Sequence, residues 1–543
     1  MNHTIFSIKE PVNEPVLSYV PDSPERELVK KELERMANED VEVPVIIGGK
    51  EYFTGDTGKL IMPHDHGHVL GTWHKADEKL INLAITKALE AKKAWETMPW
   101  PERASINMRA ADLIHHKYRY ILNAATMLNQ GKSIHQAEID AAAEMADYLR
   151  FNTYYMSVIY NEQPHSSKDM VNRLGYRPLE GFVFAISPFN FTSIAGNLPT
   201  APALMGNVVV WKPASTAVLS GYYLMQLFKE AGYPDGVINF VPGSGGKVAT
   251  PILNNYHLAG VHFTGSTGVF HGIWKTMGSN ISQYRTYPRI VGETGGKNFV
   301  MVHASADIRE VATALVRGAF EYQGQKCSAA SRAYIPTSKW PQISQVMEEM
   351  INRIKIGDPR DFRNFMNAVI DEDSFDNIMG YIARAREDYD TKIVFGGNGD
   401  KSKGYFIEPT VVLTRNPHFV TMEEEIFGPV LSVYLYDESQ FEETLHLCDE
   451  TSPYGLTGAI FARDRAAILK AGDILRHAAG NFYVNDKPTG AVVGEQPFGG
   501  ARASGTNDKA GSHINLHRWT SPRTIKESFY PPKDFTYPFM TEE

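Results

Sequence analysis

The sequence predicts an α/β protein built on a doubly wound parallel sheet, and three observations carry that expectation. Four continuous apolar runs lack polar alternation and read as strands buried on both faces: Phe182-Val183-Phe184-Ala185-Ile186-Ser187, Val208-Val209-Val210-Trp211, Val237-Ile238-Asn239-Phe240-Val241 and Ala259-Gly260-Val261-His262-Phe263. Helical segments at 198–205, 220–231 and 247–253 separate them, the alternation of a parallel sheet. Longer helices at 77–96, 101–129 and 134–160 have three-and-four apolar spacing and need such a sheet to cover. Sheets of this kind bind ligands outside the carboxyl ends of their strands.

In chain order, Pro11, Pro15, Pro21 and Pro24 break residues 1–24 into an irregular arm, expected on the surface, and a charged helix follows at 25–38. Val45-Ile46-Ile47-Gly48-Gly49-Lys50 is a strand entering a tight turn, a hairpin signal. His64, His66 and His68 alternate along an extended segment and read as solvated side chains, with no metal expected. Beyond the first sheet, Asn298 to His303 is a short buried strand, and Asp307 with Glu310 opens an amphipathic helix by capping-box spacing. A helix at 338–356, a strand at 392–396, a loop at 424–430 entering a strand, a helix at 465–476 and strands at 458–461 and 480–485 make a second α/β unit.

Composition bounds the function. A chain of 543 residues, 43% hydrophobic and 22% charged, suits two or three globular domains. With 63 acids against 54 bases the net charge is -9, which leaves no basic footprint for nucleic acid. No apolar run approaches the roughly 20 residues that span a bilayer, so no membrane partner is expected. The early acids Glu10, Glu14, Asp22 and Glu25 argue against a targeting segment. Two cysteines, Cys327 and Cys448, provide no disulfide framework and suit a reducing compartment. Cys448 follows Leu445 and Leu447 in a helix and reads as structural.

Chemistry concentrates between Glu293 and Cys327. A strand out and a helix back can bring them together, and a thiolate with a carboxylate is the pair needed to convert an aldehyde into an acid. The thiolate adds to the carbonyl carbon, and the carboxylate activates the water that cleaves the resulting thioester. A lone cysteine is more often a small buried hydrophobe and a lone glutamate a solvated acid. The polar flank Gly324-Gln325-Lys326-Cys327-Ser328 tips the balance toward a reactive thiol.

The strand ends add a platform facing that thiol. Asn190, between Phe189 and Phe191, is an amide donor for an oxyanion, and Lys212 after the second strand suits ribose hydroxyls or a phosphate. Thr264-Gly265-Ser266 precedes a helix and offers free N–H groups to an anion. Gly243-Ser244-Gly245-Gly246 is not a GxGxxG fingerprint and is a weak turn signal by itself. Glu425 suits a ribose diol, with Phe427 beside a nicotinamide.

From about residue 45 onward the chain resembles the aldehyde dehydrogenase superfamily. Seven motifs in the family's order carry the resemblance: Pro188-Phe189-Asn190-Phe191, Trp211-Lys212-Pro213-Ala214, Phe263-Thr264-Gly265-Ser266, Glu293-Thr294-Gly295-Gly296-Lys297, Gly324-Gln325-Lys326-Cys327, Glu425-Ile426-Phe427-Gly428-Pro429 and Pro497-Phe498-Gly499-Gly500. The resemblance implies a Rossmann-type NAD-binding domain, an α/β catalytic domain and a small oligomerisation flap. It implies Cys327 as nucleophile, Asn190 with the Cys327 N–H as oxyanion hole, and Glu293 as the base for water. NAD would be held by Lys212, Ser215, Gly243, Gly265, Ser266, Glu425 and Phe427. Ser215 stands where many NAD-selective relatives carry an acid, so exclusion of NADP is not assured. The implied division is an arm at 1–40, an NAD-binding domain at 41–156 and 178–290, a catalytic domain at 291–487, a flap at 157–177 and 521–543, and a returning segment at 488–520.

Three segments narrow the resemblance to the branch that oxidises glutamate γ-semialdehyde, the open form of 1-pyrroline-5-carboxylate, to glutamate in proline catabolism. They are Ser187 through Thr192, Phe320 through Ala329, and Ala503-Ser504-Gly505-Thr506-Asn507-Asp508-Lys509-Ala510-Gly511. The chain resembles the stand-alone form, without a proline dehydrogenase domain. Phe191, Ser328, Gly511 and Ser512 are then expected to hold the substrate, with the loop 505–512 anchoring its α-carboxylate. A coenzyme A-acylating enzyme, or one for other aldehydes, is the alternative, against which Glu293 argues for hydrolysis. A homodimer or larger homo-oligomer is implied, cytoplasmic in a bacterium or in the mitochondrial matrix of a eukaryote.

Overall fold

A computed structural model describes residues 6–540 and 542. Two seven-stranded sheets organise the chain. The first comprises β1 (Val45–Ile47), β2 (Lys50–Tyr52), β3 (Phe182–Ile186), β4 (Val209–Lys212), β5 (Ile238–Phe240), β6 (Leu258–Thr264) and β7 (Arg289–Glu293), in the order β7-β6-β3-β4-β5-β1-β2. From β7 to β5 all pairs are parallel, and the expected hairpin adds β1 and β2 antiparallel at one edge. Phe182, Val183, Phe184, Val209, Val210 and Trp211 are fully buried, as continuous apolar runs require. The chain leaves β3 toward β4 and β5, then returns to place β6 on the other side of β3, so a topological switch point lies between β3 and β6.

The second sheet comprises β8 (Asn298–Val302), β9 (Ala330–Pro336), β10 (Thr391–Phe395), β11 (Thr410–Thr414), β12 (Val430–Tyr436), β13 (Thr457–Phe461) and β14 (Asn481–Val484). Its order is β10-β11-β12-β9-β8-β13-β14, parallel except for the edge strand β10. Only Thr294 to Lys297 separate the end of β7 from the start of β8. The carboxyl ends of the first sheet therefore meet the amino ends of the second, where Cys327 precedes β9 and Glu425 precedes β12.

The helices differ from the sequence reading in ways that have physical causes. The expected 101–129 and 134–160 helices are each interrupted by a π-helical segment, Ile114–Tyr118 and Glu138–Glu144. Such wide turns re-aim side chains that a regular helix would present elsewhere. The second segment turns Glu138 and Asp140 into the interior, where both are fully buried. The helix expected at 198–205 begins at Thr192, because the Asp140 carboxylate accepts the Thr192 and Ser193 N–H groups at 2.9 and 2.8 Å and caps it. The helix expected at 338–356 spans Trp340–Ile351.

One expectation of solvent exposure is corrected, that of the histidines. The proline-rich arm lies on the surface as expected, exposed over most of residues 6–24, and is anchored there by the buried Glu14 and Tyr19. Glu14 pairs with Arg119, with Arg150 at 2.5 Å and with His115 at 2.6 Å, while the Tyr19 hydroxyl donates to Glu138 at 2.7 Å. His64 is also buried, 3.4 Å from Asp358, and His66 and His68 bond to the Lys401 and Ala37 carbonyls. Among the described residues no cluster of three His, Cys, Asp or Glu side chains is placed to hold a metal, and no helix is long and apolar enough to cross a membrane. Cys448 is buried in an apolar cluster, as expected.

Residues Met170–Pro178 leave the body and pair antiparallel with Thr520–Ser528 over their full lengths. This two-stranded ribbon is largely exposed.

Candidate active site

The turn before Cys327 is strained and tightly held. Tyr322 and Gln323 adopt left-handed φ values of 53° and 55°, followed by Gly324 at 68°. A side chain at Gly324 would meet the Gly428 carbonyl oxygen at 2.2 Å, so only glycine fits. Left-handed backbone at two non-glycine residues costs about 1 to 3 kcal/mol each and persists only where the surroundings impose it. They do so here. The Tyr322 hydroxyl donates to the Gln130 carbonyl at 3.0 Å, and Gln323 Nε2 donates to the Gly131 and Ala368 carbonyls at 2.8 Å each. Gln323 and Gln325 in turn accept from the Asn367 and Ile370 N–H groups. Asn298 Nδ2 fixes the far side by donating to the Cys327 and Ala329 carbonyls at 2.7 and 2.8 Å.

Cys327 is thereby presented at the floor of a cleft of about 740 Å³ that runs along the carboxyl ends of β3, β4 and β6. Burial pushes its thiol up to about 12, with Glu425 and Glu293 adding to the effect. Asn190 lines the same cleft and donates through Nδ2 to the Gln325 carbonyl at 3.1 Å. An amide nitrogen carries two hydrogens, so the second remains for another acceptor.

Glu293 closes β7 and is gripped by the 500–506 segment. Gly500 N–H donates to Oε2 at 3.2 Å, Thr506 N–H to the Gly292 carbonyl at 2.9 Å and Thr294 N–H to the Ser504 carbonyl at 2.9 Å. Burial raises the Glu293 carboxyl well above the usual range, against the Gly500 N–H and the Lys509 ammonium. A carboxylate raised in this way holds a proton more strongly than a free one, as a general base requires.

The remaining cleft residues suit a dinucleotide. Lys212 ends β4, and its ammonium has one bond, to the Pro213 carbonyl at 3.0 Å; burial pulls it down to about 8. Ser266 caps the helix Thr267–Ser279, whose N-terminus opens on the cleft beside Gly265. Glu425 accepts the Gly296 N–H at 2.8 Å and is pushed up to about 7 by burial. Phe427 stands edge-on to Phe189 with centroids 5.8 Å apart. Two expected residues lie apart from the cleft wall. A side chain at Gly243 would strike Val248 at 2.6 Å, a packing role, and Gly245 and Gly246 line the cleft instead. Ser215 is exposed on the turn after β4, and Ala214 is the lining residue there. A lone buried ammonium, a helix N-terminus and two glycines with open space fit the riboses and diphosphate of NAD.

A second cavity, about 270 Å³, opens on the other side of Cys327. Phe191 and Ser328 line it, as expected, and the Ser328 hydroxyl lies 2.8 Å from that of Thr489. Gly511 and Ser512 do not. The Ser512 hydroxyl is spent on its own backbone, donating to the Lys509 carbonyl at 2.6 Å and accepting the Ile514 N–H at 3.2 Å as a helix cap. Thr489, Gly490 and Ala491 line the wall instead, with Arg317 and Lys487 adding positive charge and Lys326 paired to Glu321 of the same wall at 3.2 Å. Glu144 faces the same space, pushed up to about 8 by burial and neighbouring Asp140. The sequence held a usable signal for this wall in Lys487-Pro488-Thr489-Gly490, a charged turn next to a strand end.

The aldehyde dehydrogenase family pattern matches residues 53–525, and the chain belongs to that family. A Dictyostelium discoideum protein named delta-1-pyrroline-5-carboxylate dehydrogenase, mitochondrial, is 54% identical over 539 residues, covering 99% of this chain and 97% of its own. A human protein of the same name is 48% identical over 529 residues, covering 97% and 94%. The crystal structure of the delta-pyrroline-5-carboxylate dehydrogenase from Mycobacterium tuberculosis bound with NAD superposes with a TM-score of 0.96 at 49% identity, over 100% of both chains.

Proposed function

We propose that this chain oxidises L-glutamate γ-semialdehyde, the open form of 1-pyrroline-5-carboxylate, to L-glutamate in proline catabolism, with NAD as the oxidant. One observation carries the reading: among the residues lining the two cavities, Cys327 is the one common to both. A nucleophile at that junction can hold a substrate carbon from one side while the oxidant works from the other. The relatives named above, alike over nearly the whole chain, support the substrate and the oxidant.

The chain's own residues divide the work. Cys327 loses its proton to solvent, its thiolate Sγ bonds the aldehyde carbon, and the developing oxyanion accepts hydrogen bonds from the second Asn190 amide hydrogen and the Cys327 N–H. When bound, NAD would supply the acceptor for the hydride that leaves that carbon. The thioester left on Cys327 is cleaved by a water whose proton passes to Glu293, and the acid departs with the thiol restored. Lys212 and Glu425 hold the two riboses, and Ser266 with the helix N-terminus holds the diphosphate. Arg317 and Lys487 supply positive potential for the substrate's α-carboxylate, and the Thr489 to Ala491 backbone supplies N–H donors. The domain division stated above follows these roles, with 41–156 and 178–290 serving the dinucleotide and 291–487 the chemistry. The exposed ribbon at Met170–Pro178 and Thr520–Ser528 supports a homodimer or larger assembly. The enzyme acts in the cytoplasm of a bacterium or the mitochondrial matrix of a eukaryote, the latter supported by the names of its eukaryotic relatives.

NADH formation with glutamate semialdehyde and with propanal tests this reading, with and without coenzyme A. A kcat/KM at least about tenfold higher for the semialdehyde, equivalent to about 1.4 kcal/mol, and free glutamate as product are expected. Equal kcat/KM for both aldehydes, or an acyl-coenzyme A product, contradicts it.

A further inference from the structure

The mechanism above leaves one half-buried cation beside the base, Lys509, without a task. Lys509 holds a left-handed φ of 49°, and its ammonium donates to the Gly480 carbonyl at 2.8 Å, the Gly499 carbonyl at 2.9 Å and Asn481 Oδ1 at 3.4 Å. Asn481 grips the same turn, accepting the Gly499 N–H at 3.2 Å and donating to the Pro497 carbonyl at 3.0 Å. The turn is therefore fixed from one side by two side chains. From its other side the next N–H, that of Gly500, donates to Glu293 Oε2 at 3.2 Å.

A single peptide unit thus joins cation to base. Its carbonyl oxygen, on Gly499, accepts the ammonium, and its N–H, on Gly500, faces the carboxylate. A charge on the carbonyl polarises the amide and strengthens the bond made by its hydrogen. The peptide has little room to turn away. A side chain at Gly499 would stand 3.0 Å from Glu293 Oε1 and 3.2 Å from the Lys509 backbone nitrogen, and one at Gly480 would meet the Gly499 carbonyl at 2.0 Å.

We propose that Lys509 is a positioning residue for Glu293, fixing the Gly499–Gly500 peptide so that its N–H stays on the carboxylate during hydrolysis of the thioester. The proposal rests on Glu293 being the base. The charged groups facing Glu293 are few. Lys509 favours its ionised form and Asp508 opposes it, while Asp508 itself accepts from the Thr506 hydroxyl at 2.5 Å and lies 3.4 Å from Arg518. Glu293 lines neither cavity, yet Cys327 and Tyr148 both feel its charge. Removing the Lys509 cation therefore moves the titration of Glu293 upward, and hydrolysis, which needs the ionised form, fails at a higher pH than before.

The test is the pH profile of steady turnover in the full-length enzyme, beside the single-turnover burst of NADH, for Lys509→Met and Lys509→Arg. Lys509→Met should displace the acid limb upward by about one unit, a roughly tenfold loss of turnover on that limb, with recovery at high pH and an unchanged burst rate. Lys509→Arg should keep the limb within a few tenths of the parent. A Lys509→Met limb at the parent position, or a loss equal at every pH, overturns the proposal and leaves Lys509 a packing residue. Glu293→Gln separates the two levels. If that variant keeps steady turnover, the base lies elsewhere and the reading beneath this one falls first.

Discussion

Asn190 Nδ2 lies 3.1 Å from the carbonyl oxygen of Gln325, two residues before Cys327, and so ties the end of β3 to the strained turn that carries the thiol. A dinucleotide cleft and a nucleophile from two different sheets are registered by that bond. Asn190→Ala should lower kcat by about 10²- to 10³-fold, the usual cost of one oxyanion donor. NAD affinity, measured by protein fluorescence, should stay within about twofold, because Asn190 is not a ribose or phosphate ligand in this account. Parallel losses in both would make Asn190 a scaffold residue.

The thiol's own acidity gives a second expectation. Burial, then Glu425 and Glu293, push Cys327 up to about 12, so alkylation by iodoacetamide in the absence of NAD should rise with pH through at least about pH 9. Glu425→Gln should speed alkylation at that pH by removing an adjacent negative charge. A plateau below pH 8, or slower alkylation in the variant, would place the thiolate in a different electrostatic setting.

Stability should depend on the arm. Glu14 sits among Arg119, Arg150 and His115, and Glu14→Ala leaves half-buried Arg150 without this partner and buried Arg119 with only the Glu138 carboxylate, at a cost of about 1 to 3 kcal/mol in urea unfolding. A change under about 0.5 kcal/mol would show that the arm contributes no net stability.

His64 predicts an acid weakness. Burial pulls it down to about 4 from 6.5, so the unfolded chain binds this proton more readily than the folded one. The stability gained by keeping His64 neutral is complete above pH 6.5 and lost progressively toward pH 4, about 2 kcal/mol of it by pH 5. His64→Gln should remove that share of the pH dependence from the urea midpoint. An unchanged slope between pH 7 and pH 5 would assign the acid sensitivity to other groups.

The parallel sheets were legible because strands buried on both faces must be apolar throughout, as Phe182 to Ile186 is. Cys327 and Glu293 stood out as candidates for the opposite reason: their flanks, Gly324 to Ser328 and Thr294 to Lys297, are polar and glycine-rich, where packing does not account for them. What escaped was decided by distant partners. Nothing local in Ile134 to Tyr160 announces the π-helical turn that buries Glu138 and Asp140, and nothing around Glu14 names Arg119 and Arg150 as its partners. The wall of the second cavity is formed some 20 residues before Gly511 and Ser512 for the same reason. Ser512 looks like a free donor until its hydroxyl is seen capping a helix, whereas Thr489 reaches the cavity only through the packing of β14 beside β13.

Covalent capture tests the central claim most directly. Glu293→Gln, mixed with NAD and 1-pyrroline-5-carboxylate and quenched in acid, should form about one NADH per site and then stall, because the thioester lacks its base. Mass spectrometry of the tryptic peptide containing Cys327 should then show a glutamyl adduct on the sulfur, absent when Cys327→Ala is treated alike. NADH formed in that amount with Cys327 unmodified, or turnover that continues undiminished, would contradict an acyl-enzyme at Cys327 hydrolysed by Glu293.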